Sequence, residues 1–388
     1  MAATTVVWTD VDADIYVEQG RIGPEDVGGT ARGYQVVKRR LHGGLSDGVD
    51  VVHVDNGRLS FAVLPTRGMS LWKAWLGDEP IGWQSPVHGP VHPAFVPLME
   101  PGGLGWLDGF DELLVRCGLE SNGAPEFDAD TGRLKYPLHG RIGNKPARRV
   151  SVSVDGATGT IAVTGVVEET RFHFLKLRLT STVETRVGES TLRIRDVIEN
   201  LSATPAEAQL LYHVNFGDPL LGAGARFVAP VRTVVPRNES SAKALDTWNS
   251  YAAPTPGFAE QVYFLELLAD ERGQTRTLLR NAHGSRGVSL LHRVDQLPCY
   301  TLWKNTAASV DGNVTGLEPG TNFPNPRSFE GQHGRVVKLA AGASATLELQ
   351  LDVHASAEEV AAAERSIAQL QGTIQPTVHG APLPTWCA

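Results

Sequence analysis

Arg149 to Val167 reads RVSVSVDGATGTIAVTGVV, two runs of alternating apolar and polar residues joined through Asp155-Gly156, and this stretch decides the fold class. Alternation with period two puts Val150, Val152 and Val154 on one face of a strand, and Ile161 and Val163 on one face of the next. An Asp-Gly turn between such runs is a hairpin signal. Outward from it, the same texture predicts strands at Val51–Val54, Leu59–Leu64, Leu175–Arg186, Thr191–Glu199, Gly287–His292 and Ala345–Val353. The 41 Gly and 24 Pro fall between these runs, more punctuation than a helical chain tolerates. Only Ser356–Gln371 reads as helix, opening with the capping-box pattern Ser356-x-x-Glu359. Two segments are too irregular for sheet, Gly82–Glu126 and Gly312–Gly334, and long ordered loops of this kind are commonly functional. The expectation is an all-β chain of antiparallel sheets forming a single domain over 1–388, with its core at about 50–354 and a short C-terminal helix and tail over 355–388.

Composition narrows the function classes. With 41% hydrophobic and 20% charged residues the chain buries an ample core. A net charge of −8, from 43 acidic and 35 basic residues without a basic tract, argues against nucleic-acid binding. No window of 18 apolar residues and no leader-like N-terminus occur, which argues against a membrane span and secretion. Cys117, Cys299 and Cys387 are an odd, sparse set without C-x-x-C spacing, so the expected setting is reducing and cytoplasmic.

Three strings concentrate groups that carry chemistry beside turn residues: Leu138-His139-Gly140-Arg141-Ile142-Gly143-Asn144, Tyr212-His213-Val214-Asn215-Phe216-Gly217-Asp218, and Gly316-Leu317-Glu318-Pro319-Gly320. Period two places His213 and Asn215 on one strand face, so both point at one ligand. His139 lies between the irregular loop and the hairpin. Glu318 follows an apolar run and precedes Pro-Gly, which predicts a strand end facing a cleft.

In this order, Leu138-His139-Gly140, His213-x-x-Phe216, Leu317-Glu318 with Asn322-Phe323-Pro324-Asn325, and Leu339-x-x-Gly342 resemble the aldose 1-epimerase, or galactose mutarotase-like, superfamily. The resemblance covers roughly Leu59 to Val353, and Leu64-Pro65-Thr66-Arg67-Gly68-Met69 with the Trp106–Pro125 loop points to a poorly characterised branch. It implies a β-supersandwich and an enzyme that interconverts the anomers of a free sugar or sugar derivative. It also implies that His213 is the general acid toward the ring oxygen, that Glu318 takes the proton of the anomeric hydroxyl, and that His139 binds the sugar near the same oxygen. Such a reaction requires no cofactor and no metal. The superfamily's usual Asn-Arg pair is not legible, so Arg67 or the Arg116–Asn122 string is the expected source of hydroxyl-binding groups. Arg141 replaces the first motif's second glycine, which favours an acidic or carbonyl-bearing sugar. Asn144, Asn215 and Asp218 complete the expected binding set, with Asp246 as a further aspartate.

Other readings use the same residues. His139, His213 and Glu318, with His333 or Glu330, would make a His₂Glu metal set, although no H-x-H or H-E-x-x-H spacing supports it. A keto-sugar isomerase or epimerase would move protons to and from carbon, and a carbohydrate-binding protein would hold sugar without turnover. Trp83, Trp106 and Trp303 are candidates to stack on a sugar face, and equally to fill the core.

Overall fold

The computed structural model describes residues 3–388. Nearly all of its regular structure lies in a 10-stranded and a 14-stranded antiparallel sheet, apart from one parallel edge pairing. The hairpin forms as Arg149–Asp155 and Thr160–Thr170, in register from Asp155 against Thr160 to Arg149 against Val166. It lies within the 10-stranded sheet beside Lys176–Arg186, Thr191–Asn200 and Ser344–His354. Residues alternate between buried and partly exposed along these strands, because one face of that sheet packs inward and the other meets solvent. Val152, Val163, Leu179 and Ile194 from this sheet share one buried cluster with Val54, Phe61, Leu71 and Val214 from the larger sheet.

The larger sheet holds the surprises. Leu114–Leu119 is a strand buried along its whole length, inside the segment expected to be irregular loop. Val314–Gly320, equally buried, and the helix Arg327–Gln332 likewise fall within Gly312–Gly334. A strand covered on both faces needs no polar alternation, so period two is absent and the signal is lost among Gly and Pro. Arg116 crosses from Leu114–Leu119 to Asp196 of the 10-stranded sheet, both ends fully buried. Its Nη2 lies 3.2 Å from Asp196 Oδ1, and its Nη1 donates to the Met69 carbonyl at 2.7 Å.

The C-terminal helix runs from Ala357 to Gln371, and the Ser356 hydroxyl accepts the Glu359 N–H at 3.2 Å. Val360, Ala363 and Ile367 pack on Leu278. Among the described residues no helix is long and apolar enough to cross a membrane.

Glu169, buried on Thr160–Thr170, accepts the Leu119 N–H at 2.8 Å, and burial pushes its carboxyl from 4.5 up to about 7. The folded chain therefore holds a proton that the unfolded chain releases near 4.5, and stability is lost as pH rises between the two values. The shift corresponds to about 3 kcal/mol. Denaturant titrations of the wild type and Glu169→Gln should diverge by that amount between pH 4 and pH 8, to the variant's advantage at high pH. Parallel curves would show that Glu169 carries no such shift.

Candidate active site

Strand register assembles the site on one face of the larger sheet. His213 is on Ala206–Phe216, Glu318 on Val314–Gly320, and the two strands pair with Val214 against Leu317 and Leu211 against Gly320. That register sets His213 beside Glu318, and Thr301 follows on the next strand. Two residues along, a second row reads Asn215, Gly316, Trp303 and Val262. Arg237 ends it by donating its backbone N–H to the Val262 carbonyl. A cleft of about 320 Å³ opens over these rows, walled by Trp106, Phe110 and Leu138 and including His139, Arg237 and Glu260. That size suits a small ligand.

His213 Nε2 stands 3.3 Å from Glu318 Oε1, with both side chains almost wholly buried. His213 Nδ1 lies 2.6 Å from Asn215 Oδ1, while Asn215 Nδ2 donates to the carbonyls of Glu112 at 3.0 Å and His213 at 3.1 Å. Because the amide nitrogen is engaged with two carbonyls, its oxygen is the acceptor, and the imidazole proton is fixed on Nδ1. Nε2 is therefore the edge offered to Glu318. Burial pushes the Glu318 carboxyl well above the usual carboxylate range and the His213 imidazole well below its own. Both shifts favour a neutral pair, a carboxylic acid beside an imidazole, with one proton shared between Oε1 and Nε2. Gly316 leaves room for it: a Cβ there would overlap Glu318 Oε1 and approach His213 Cε1 to 3.1 Å.

His139 packs edge-on to Trp106 at 4.5 Å between ring centroids and stands 5.3 Å from His213. Its Nδ1 donates to the Asn122 carbonyl at 3.0 Å, leaving a lone pair on Nε2. Burial holds its imidazole down at about 4, so it stays neutral near pH 7. The backbone at His139 has φ 56°, a left-handed conformation uncommon outside glycine and concentrated at functional sites. The Trp106 Nε1 and Thr301 Oγ1 atoms are buried without a hydrogen-bond partner in the chain.

The remaining expected residues lie elsewhere. Arg67 is buried, its guanidinium engaged by Glu112 at 2.6 Å, Asn144 at 2.8 Å and the carbonyls of Val91 and Gly109. Arg67 and Asn144 thus anchor the wall that carries Trp106 and Phe110 rather than facing the cleft. Arg141 leans on Met99 Sδ at 3.9 Å and does not line the cleft. Nor does it pair with an acid of the wall, since Asp111 holds Lys73 and Glu112 holds Arg67. Asp218 is exposed, accepting from Ser309 and Asn313, and Asp246 is exposed on a short turn. Asn215 touches His213 and acts through it. Trp83 is core, packed on Phe110, whereas Trp106 and Trp303 line the cleft. Among the described residues no group of three or more His, Cys, Asp or Glu is arranged to hold a metal ion. Arg237, Glu260 and Thr301 were not anticipated, because only cross-strand register brings them to this face and no local motif marks them.

Two large antiparallel sheets, with a buried His–Glu pair in a cleft of the larger, define a protein of the galactose mutarotase-like fold. The chain belongs to the family described as a domain of unknown function, DUF4432, whose model matches residues 46–353. It is similar to a "putative aldose 1-epimerase" from Klebsiella pneumoniae, at 36% identity and a TM-score of 0.94 over 98% of this chain and 99% of that one. A galactose mutarotase-like protein from Clostridium acetobutylicum (13% identity, TM-score 0.58, covering 82% and 98% of the two chains) shares the fold. So does galactose 1-epimerase from Lactobacillus acidophilus (13%, 0.55, 83% and 99%). No curated protein matches the chain.

Proposed function

We propose that the protein is an enzyme that interconverts the anomers of a free sugar or sugar derivative, with Glu318 and His213 as its acid–base pair. The observation that carries this reading is the 3.3 Å contact between His213 Nε2 and Glu318 Oε1 in the cleft. A carboxylic acid with a neutral imidazole, and a carboxylate with an imidazolium, contain the same number of protons. A sugar laid across the pair, its anomeric hydroxyl at Glu318 and its ring oxygen at His213, draws it into the second form. Glu318 takes the proton of the anomeric hydroxyl as His213 delivers its own to the ring oxygen. The bond from C1 to the ring oxygen breaks, C1 becomes the aldehyde carbon, and rotation about C1–C2 exposes its other face. The reverse transfers close the other anomer and return the pair to its starting state. Asn215 Oδ1 accepts the Nδ1 proton throughout and steadies the imidazolium. Positioned acid–base groups contribute about 10²–10⁴-fold in rate.

The shifts set the pH dependence. In water a carboxylate of pKa 4.5 and an imidazole of 6.5 share one proton only between those values. Here His213 gains a second proton only at lower pH, and Glu318 loses its proton only at higher pH. The expected kcat/KM profile therefore has its acid limb set by His213, well below the ordinary imidazole value, and its alkaline limb set by Glu318, well above the ordinary carboxylate value. A profile that peaks between 4.5 and 6.5 would place both groups at their ordinary values.

Proton NMR in D₂O against aldoses, uronates and keto-sugars, with chelator and with added divalent metal, tests the reaction class. Chelator-insensitive anomeric exchange with every C–H bond intact supports the proposal. Deuterium entering a C–H bond would move the protein to the keto-sugar isomerases, and saturable binding without exchange would make it a carbohydrate-binding protein.

A further inference from the structure

We infer that Arg237 is the receptor for an anionic group on the sugar, so that the substrate class is an acidic sugar carrying a carboxylate or phosphate. This rests on the sugar reading of the cleft and adds its specificity. Arg237 lines the cleft, and among the described residues its guanidinium has neither an ion pair nor a hydrogen bond. The chain's other cleft and wall charges are engaged. Glu260 accepts the Trp303 Nε1–H at 2.9 Å, and Arg67 is saturated by four partners. His139 is held neutral near pH 7, and burial favours the neutral forms of His213 and Glu318. A guanidinium left without an ion-pair or hydrogen-bond partner beside apolar walls is thus the cation of the cleft free to receive a ligand, and its planar fork of donors suits a carboxylate or phosphate held by two bonds.

The placement gives the anion an address. Arg237 closes the row that begins at Asn215, three strand spacings and two residues along from Glu318, about 16 Å between backbones. Because Arg237 lines the same cleft as the His–Glu pair, the guanidinium and that pair bracket a single small molecule. A sugar whose anomeric carbon meets Glu318 therefore presents its far end to Arg237. Glu260 on the same rim opposes a second negative charge, so one anionic group is favoured over two.

The test compares glucuronate, glucose 6-phosphate and glucose by anomeric-exchange NMR in the wild type, Arg237→Gln and Arg237→Lys. Wild type should prefer at least one anionic sugar over glucose by about 100-fold in kcat/KM, from the strength of a charge-assisted bidentate pair. Arg237→Gln should lower that preference ratio by a similar factor, chiefly through KM, and Arg237→Lys should recover part of it. Glucuronate preferred over the phosphate identifies the carboxylate, and the reverse identifies the phosphate. A preference ratio near one in the wild type, or one unmoved in Arg237→Gln, overturns the inference while leaving the mutarotase reading intact. Should no sugar exchange at all, that reading fails. Calorimetric binding of the same three ligands then decides for Arg237 if anion binding is lost in Arg237→Gln, and against it if binding persists.

Discussion

Glu318→Gln and His213→Asn should each slow anomeric exchange by about 10³-fold or more, while sugar binding remains measurable. The glutamine keeps the shape of the carboxyl group but cannot shuttle a proton. The asparagine removes Nε2, the only edge of His213 that faces Glu318. Because the two groups exchange one proton, they act as a unit, and the double variant should be little worse than either single one. Exchange spectroscopy on a substrate found in the wild-type panel measures this directly. Exchange within tenfold of the wild type in either variant would remove that residue from the chemistry.

The largest effect on stability is expected at Asp196. Asp196→Ala leaves the Arg116 guanidinium between the two sheets with only the Met69 carbonyl for a partner. An uncompensated buried charge of this kind costs about 3–5 kcal/mol. Urea unfolding of Asp196→Ala should show that loss, whereas Arg116→Met combined with Asp196→Leu, which removes both charges, should recover most of it. Equal midpoints for wild type and Asp196→Ala would mean that the pair does not hold the sheets together. Tyr212, whose hydroxyl has no hydrogen-bond partner and whose ring lies 5.9 Å from the Arg116 guanidinium, belongs to the same junction.

The sequence announced those parts of the fold in which one face of a strand meets water. The hairpin at Arg149–Thr170 and the long strands after it alternate visibly, and the structure places them where the alternation does. Leu114–Leu119 and Val314–Gly320 are buried on both faces, so no alternation marked them, and only the apolar run before Glu318 signalled the end of the second. The candidate site divides along the same line. That His213 and Asn215 share a face follows from period two within one strand. That Glu318 reaches His213 depends on the register between two strands, which no local pattern encodes, and the expectation came from resemblance to a superfamily. The positive charge was anticipated at Arg141 because it is adjacent in sequence to His139. The cleft carries its cation instead at Arg237, about a hundred positions away along the chain.

The arrangement of the site in two rows separates what must be inherited intact from what is free to change. A one-residue slip of Val314–Gly320 would turn Glu318 from the cleft to the opposite face, and any side chain at Gly316 would collide with it, so mutation has little latitude there. Arg237 and Glu260 flank the paired strands Val231–Pro236 and Gln261–Leu267 toward the sheet's margin. On the proposed reading, substitutions at those two positions would change which sugar is held while His213 and Glu318 stay in place. Specificity and proton transfer thus occupy different parts of one sheet, the first at its margin and the second in its interior.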